Sequence, residues 1–350
     1  MTRLASISTF AAALMFATSA VAQVSATPPA AQKSEPEKPA AKPKTKPHTV
    51  TKKLPAPAAT PAPAATAAPA PDDPNVDLVY GAYQRGKYKT AFDLATVRAR
   101  AGDPKAMTML GELYANELGV RRDDAKAVEW YKRAADAGDR EAMFALAMMR
   151  IGGRGAPADR LEAVKLLAAA AKLGEPKAAY NLALLYLDGQ TLPQDLKRAA
   201  ELLRMAADAG SPEAQYALAT FYKEGTGVEK DLEKAVRLLQ AAALADNVDA
   251  EVEYAIALYN GTGTPKNQPA AVALLRKAAH QNSPIAQNRL ARVLVTGQGA
   301  PMDKIEGLKW HVIAKTSGKG DLFLDEAFAQ LSPEDRAKVE DAARRWLNVK

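Results

Sequence analysis

The chain has 350 residues and not one cysteine. That excludes a disulfide framework, a thiol nucleophile and any cysteine-ligated metal site, so the fold must be held by core burial alone. Histidine is almost as scarce, with only His48, His280 and His311. No His-Glu-x-x-His and no Gly-x-Ser-x-Gly occurs, so neither a zinc-protease nor a serine-hydrolase signature is present. The histidines read as surface or packing residues. Gly81 to Tyr88 has P-loop spacing, but Tyr88 stands where a Ser or Thr would hold magnesium and no strand precedes it. A turn between two helices is expected there instead. Carboxylates are plentiful but fall at helix starts or on solvated faces, and none is set apart in an apolar run that would raise its pKa for acid catalysis. No catalytic residue, metal or cofactor is expected, and the chain reads as a non-enzyme.

Long apolar runs are lacking as well. The one candidate, residues 7–17, is shorter than the roughly 20 residues a membrane-spanning helix needs. It follows Arg3 and ends in Ala20-Val21-Ala22 before Gln23, the pattern of a secretory signal peptide over residues 1–22. The expected location is periplasmic or secreted, with no transmembrane span after cleavage. Residues 23–74 are dominated by Pro, Ala, Lys and Thr and carry no apolar face, so a disordered tether is expected. Seven lysines (33, 38, 42, 44, 46, 52, 53) oppose Glu35, Glu37, Asp72 and Asp73. This basic stretch is either a solvated spacer or a weak contact to anionic cell-wall or envelope polymers. The whole-chain charge of +7 is too mild to argue for nucleic acid.

What is present is a repeat. Gly102, Gly138, Gly174 and Gly210 are each 36 residues apart, the next steps land on Asp246 and Asn282, and a further step lands on Gly318. A fixed period in this range means stacked supersecondary units. Counting each unit from this residue as position 0, position 4 is Ala in all six units, and positions 8 and 9 are Leu or Tyr followed by Ala or Gly. These spacings place one apolar face on a first helix, A. Asp103-Pro104, Glu175-Pro176, Ser211-Pro212 and Ser283-Pro284 give a capped start with Pro at the first helical position. Glycines such as Gly225 and Gly261 give its stop. Position 21 is Asp or Asn in every unit, which begins a second helix, B. On helix B, Ala or Gly at position 25, a bulky residue at position 28 (Trp130, Leu166, Leu202, Leu238, Leu274, Trp310) and Ala at position 32 form a helical stripe. The bulky residue is expected to wedge between helices.

The pattern Ala-xxx-Leu-Gly-xx-Tyr, then Gly-Val, Asp, Ala, Trp-Tyr and Ala-Ala-x-Gly runs most fully from Ala106 to Gly138. It resembles Sel1-like repeats, relatives of the tetratricopeptide repeat, over about residues 102–317. Glu117 and Thr191 break the Gly-x-Gly turn in units one and three, and Arg150 replaces the Tyr of helix A, which touches local turn shape and not the fold. The expected fold is all-α: an α/α solenoid of six 36-residue helix-turn-helix units, with a capping helical pair at 75–101 and closing helices at 318–350.

The resemblance implies that helix A lines a concave groove, facing it with positions 3, 6, 10, 13 and 14. The candidate contact residues are then Phe144, Met148, Tyr180, Leu184, Leu187, Tyr216, Ile256 and Tyr259, a central apolar and aromatic stripe between polar ends at Thr108, Glu112, Asn288 and Arg292. Such a stripe either grips a protein or peptide partner or packs helix A against its neighbours. The resemblance further implies a non-catalytic interaction scaffold or adaptor that regulates an envelope or signalling complex. Two alternatives stand beside it: a cell-wall anchor using the tether, and a hydrolase of cell-wall-type substrates. The hydrolase is implied only by cysteine-rich exported relatives, which this cysteine-free chain does not match.

Overall fold

A computed structural model describes residues 77–348. The signal peptide, the tether and His48 lie outside the described residues. Among the described residues there are sixteen helices and no strand. The leading pair is α1 (Leu78–Gln84) and α2 (Tyr88–Arg100). The turn between them carries the P-loop-like spacing, with Gly86 at φ 69°, as the sequence indicated.

Six A/B pairs follow: α3 (Pro104–Ala115) with α4 (Asp124–Asp136), α5 (Arg140–Gly152) with α6 (Arg160–Lys172), and α7 (Pro176–Asp188) with α8 (Leu196–Asp208). Then come α9 (Pro212–Glu224) with α10 (Leu232–Leu244), α11 (Val248–Asn260) with α12 (Gln268–His280), and α13 (Pro284–Thr296) with α14 (Lys304–Thr316). The chain closes with α15 (Leu322–Ala329) and α16 (Pro333–Asn348).

Each unit is built by the same local rules. The position-21 side chain caps helix B in all six, as where Asp195 accepts from the Arg198 N–H at 2.9 Å and Asn267 from the Ala270 N–H at 3.1 Å. The backbone N–H of the same residue reaches back to helix A, Asp231 to the Tyr222 carbonyl at 2.9 Å and Asp303 to the Leu294 carbonyl at 2.9 Å. One residue therefore starts the second helix and fastens it to the end of the first. Position 0 closes helix B in the left-handed region. Asp246 and Asn282 do so at φ 60° and 68° without being glycine, the side chains for which that conformation costs least. In unit one, Glu117 takes the left-handed conformation at φ 57° that glycine supplies elsewhere. The second turn glycine has a different reason: a Cβ at Gly227 would collide with the Leu196 carbonyl at the start of α8.

The alanines at positions 4, 25 and 32 are all buried, Ala142, Ala163 and Ala170 completely, and they let neighbouring backbones approach. The wedge is one residue later than the sequence suggested. Position 29 (Tyr131, Leu167, Leu203, Leu239, Leu275, His311) is buried in every unit, whereas position 28 is only half-buried in four of the six. In unit one, Tyr131 at position 29 lies against helix A of its own unit, where a Cβ at Gly111 would be 2.6 Å from the ring, while Trp130 at position 28 packs at the edge of the cluster shared with the leading pair. At the C-terminal end the rings of His280, Trp310 and Trp346 stand edge to face at 5.1–5.2 Å and lock α16 onto the last unit.

Candidate binding surface

The A helices lie side by side along one face of the array, and a cleft opens on that face at each of its two ends. At the N-terminal end a cleft of about 750 Å³ runs across α1, α3 and α5 to the start of α7. Its construction begins with a substitution in unit one, where Gly111 stands at the place of the usual helix A alanine. A Cβ there would lie 2.6 Å from the Tyr131 ring. The missing methyl lets Tyr131 of helix B lie flat against α3 and pass its hydroxyl through to the cleft, where it donates to Glu112 Oε2 at 3.0 Å. Asn116 Nδ2 donates to Glu112 Oε1 at 2.8 Å. Burial and the Glu112 charge push the Tyr131 phenol above its ordinary value, and Tyr83 is raised by the same two causes. Both phenols therefore stay protonated and act as hydrogen-bond donors, not bases. Around this floor stand Phe144, half-buried, and Tyr80, which is 54 % exposed. Lys105 and Lys177 on the rim have no ion-pair partner among the described residues.

At the C-terminal end a second cleft of about 330 Å³ is lined by Ile256, Tyr259, Arg289, Arg292 and Phe323 among others. The Tyr259 hydroxyl donates to the Gln298 carbonyl at 2.9 Å, which fixes the ring along the wall. Arg292 Nη2 donates to Asp321 Oδ1 at 2.8 Å, and this pairing holds the Asp321 carboxyl below its usual range. Arg289, by contrast, has no partner among the described residues. Phe323 is 43 % exposed beside it.

Between the clefts the expected stripe divides. Tyr180, Leu184 and Leu187, all on α7, are only 5 %, 3 % and 2 % exposed and belong to the central core cluster. For these three the packing reading holds, because α7 is flanked on both sides by A helices whose side chains close over it. Met148 and Tyr216 are half-buried against the same cluster. Burial, then Asp249 and Glu253, push the Tyr216 phenol up to about 12. Phe144 lies in the N-terminal cleft, and Ile256 and Tyr259 in the C-terminal one. The concavity is thus at the ends that the sequence pattern marked as merely polar, since Thr108, Glu112 and Arg292 do not fill space as leucines do.

Sequence reasoning passed over Tyr80, Tyr83, Tyr131, Arg289 and Phe323. The available signals were the i, i+3 tyrosines on the capping helix and the glycine standing for alanine at 111, which marks a bulky neighbour.

Elsewhere the two described histidines are structural. His280 stacks in the tryptophan cluster, and buried His311 lies 2.9 Å from Asp325 Oδ1 through Nε2. Among the described residues no group of three or more His, Cys, Asp or Glu could hold a metal ion, and no helix is long and apolar enough to cross a membrane.

Comparison with known proteins gives a consistent picture. The profile of the Sel1 repeat matches six times in tandem, at residues 104–139, 140–175, 176–211, 212–247, 248–283 and 284–318. A Sel1 repeat protein from Oxalobacter formigenes is similar at 27 % identity and a TM-score of 0.61, over 68 % of this chain and 98 % of that one. The protein c5321, a protective antigen of uropathogenic Escherichia coli with the SLR fold, is similar at 25 % identity and a TM-score of 0.53. That likeness covers 75 % of this chain and 64 % of the other. Curated proteins give no match. Sel1 repeats mediate protein–protein interactions, and proteins built from them are generally non-catalytic scaffolds. With six contiguous repeats filling residues 104–318, the chain belongs to the Sel1 repeat family.

Proposed function

We propose that this protein is a non-catalytic periplasmic scaffold that holds a partner protein along its A-helix face and so regulates an envelope or signalling complex. The observation that carries this is the pair of clefts on one continuous face, each combining aromatic side chains with unpaired cations. Aromatic anchors supply most of the affinity of a typical interface, and unpaired charges select the partner. The signal-peptide pattern of residues 1–22 supports the location.

Capture of partners from envelope extracts tests the reading. Phe144→Ala with Tyr259→Ala should lose the captured protein, while Lys132→Ala with Lys197→Ala on the exposed B-helix side should keep it. Equal capture by both variants would refute it.

A second reading rests on the seven lysines of residues 23–74. In this reading the basic stretch contacts anionic cell wall while the array holds its partner. Co-sedimentation with purified cell wall should then fall when residues 33–53 are deleted, and unchanged sedimentation would dismiss it.

A further inference from the structure

The C-terminal cleft is a slit between α11 and α13, floored by the buried Ala255 and by Leu275 of the intervening helix α12. Ile256, Tyr259 and Phe323 make its walls. An adjoining recess of about 490 Å³ shares Arg289 and Arg292 with the slit and adds Lys319 and Asp321. The slit is open because of what Arg292 does. At the same repeat position Met148 and Leu184 pack into the central core. Arg292 instead turns its guanidinium to Asp321, donating through Nε and, at 2.8 Å, through Nη2. The guanidinium also lies over the Phe323 ring, 5.6 Å from its centroid.

The charges on this surface do not balance. The slit is lined by two arginines and no carboxylate. The recess has one carboxylate, Asp321, and both its oxygens are engaged. Oδ1 accepts from Arg292, and Oδ2 accepts from Arg292 and, at 3.3 Å, from Asn288. Arg289 and Lys319 are exposed and have no ion-pair partner among the described residues. Exposed apolar side chains accompany them: Ile285 and Phe323 at 43 % each, and Leu322 at 82 %. Exposed cations alone would be an ordinary solvated surface. Here they border an open apolar slit, so a ligand that fills the slit removes water from beside them and strengthens their pairing with carboxylates. Nearer the middle of the face the charge changes sign, with Asp249 and Glu253 beside Tyr216 and only Glu253 paired, to Lys223. An anionic ligand is therefore directed to the C-terminal end and not along the whole face.

We propose that the C-terminal end of the A-helix face takes an acidic segment of a partner protein, in which carboxylate side chains flank one large apolar side chain. The apolar group enters the slit over Ala255 and Leu275, between Tyr259 and Phe323. The carboxylates pair with Arg289 and Lys319. A slit of about 330 Å³ is at the lower limit of ligand pockets, which suits a side chain and not a folded element. Aromatic and arginine side chains are also the groups that dominate interface energetics. The inference rests on the reading of the A-helix face as the partner surface and adds the partner's chemistry at one end of it.

The test is a selection of short random peptides on the immobilised full chain. The peptides are displayed inside a loop of a carrier protein, so that none has a free C-terminus. Enriched sequences should carry Asp or Glu on both sides of a Phe, Leu or Trp. The most enriched peptide, made synthetically with a fluorescent label, is then titrated by anisotropy. Its affinity should fall by about tenfold or more in Arg289→Gln with Lys319→Gln, and also in Phe323→Ala. All three side chains are exposed, and unchanged thermal melting would show that folding is not the cause. Lys132→Gln with Lys197→Gln removes the same charge from the B helices and should leave affinity unchanged. No enrichment, or enrichment of basic or uncharged peptides, would overturn the proposal. So would equal losses in the two double variants, which would mean unspecific attraction to a basic chain. Heparin binding that depends on Arg289 and Lys319 while no peptide is enriched would assign the surface to an anionic polymer and also overturn it. If no acidic peptide is selected but partner capture still depends on Phe144 and Tyr259, this chemistry alone falls and the scaffold reading stands.

Discussion

Glu251 is a charge placed where its neighbours have an amide, and replacing it by glutamine should stabilise the array. At position 5 of helix A, Gln215 Nε2 donates to the Ala207 carbonyl at 3.3 Å and Gln287 Nε2 to the Ala279 carbonyl at 3.2 Å. Both carbonyls lie near the C-terminal end of the preceding helix B. The equivalent acceptor for unit five is Ala243 on α10. A carboxylate has no proton to donate to it and also faces the negative end of that helix dipole. Glu251 is fully buried, at 0 % exposure, and neither carboxylate oxygen accepts a well-formed hydrogen bond. Its compensation is Lys277, whose Nζ lies within ion-pair distance of Glu251 Oε1 and Asp246 Oδ1, at 2.6 Å each. Buried pairs of this kind typically lose about as much in desolvation as they gain, and neutral replacements are often stabilising by about 1–4 kcal/mol. A new hydrogen bond to a buried carbonyl adds about 1 kcal/mol. Because the Lys277 side chain is 46 % exposed, solvent screening reduces the pair term, and the expected gain for Glu251→Gln is about 1–3 kcal/mol, read as a higher urea midpoint at unchanged slope. Lys277→Met should destabilise the original chain and have little effect in the Glu251→Gln background, a coupling that a double-mutant cycle isolates. If Glu251→Gln lowers the midpoint, the ion pair is a net contributor and the reasoning fails.

Other expectations follow from single features. Tyr180→Ala should cost about 3–5 kcal/mol, the range for emptying a buried aromatic site, and Phe144→Ala clearly less; equal losses in urea unfolding would contradict the division of the stripe. Gly227→Ala should destabilise by at least about 1–2 kcal/mol from the left-handed backbone alone, with the collision at Leu196 added, and a neutral result would refute the close approach. The depressed Asp321 carboxyl contributes stability that is present above its unfolded pKa of about 3.9 and is lost as pH falls through the lower folded value. Asp321→Asn should remove that contribution near neutrality and flatten the acid limb followed by far-UV circular dichroism. Trp346→Ala should open the ring cluster and speed hydrogen exchange in α16 while leaving α3 to α11 protected.

Much of the fold is legible because each unit solves the same local problems with the same residue types. A helix needs a cap and a stop, and Asp231, Asn267 and Gly261 announce them in the sequence before any packing is known. Asp246 and Asn282 keep the period where glycine is lost because their short polar side chains tolerate the left-handed region. The wedge at position 29 was harder to see, since positions 28 and 29 are both bulky in every unit and only the tilt between the paired helices decides which turns inward. The stripe was harder still. Tyr180 and Tyr216 occupy the same repeat position, yet one is covered and the other half-covered, because coverage depends on side chains from the units on either side. The clefts arise where that coverage stops, next to the capping helices, and no single unit's sequence contains that information.

The central claim is that the A-helix face is where a partner sits, and site-specific photo-crosslinking in living cells tests it most directly. A photoreactive residue placed in turn at Phe144 and Tyr259 should give adducts with one and the same protein, while Lys132 and Lys197 on the B helices give none. Adducts with that protein arising from Lys132 or Lys197, with none from either cleft, would place the partner on the other side of the array and contradict the account.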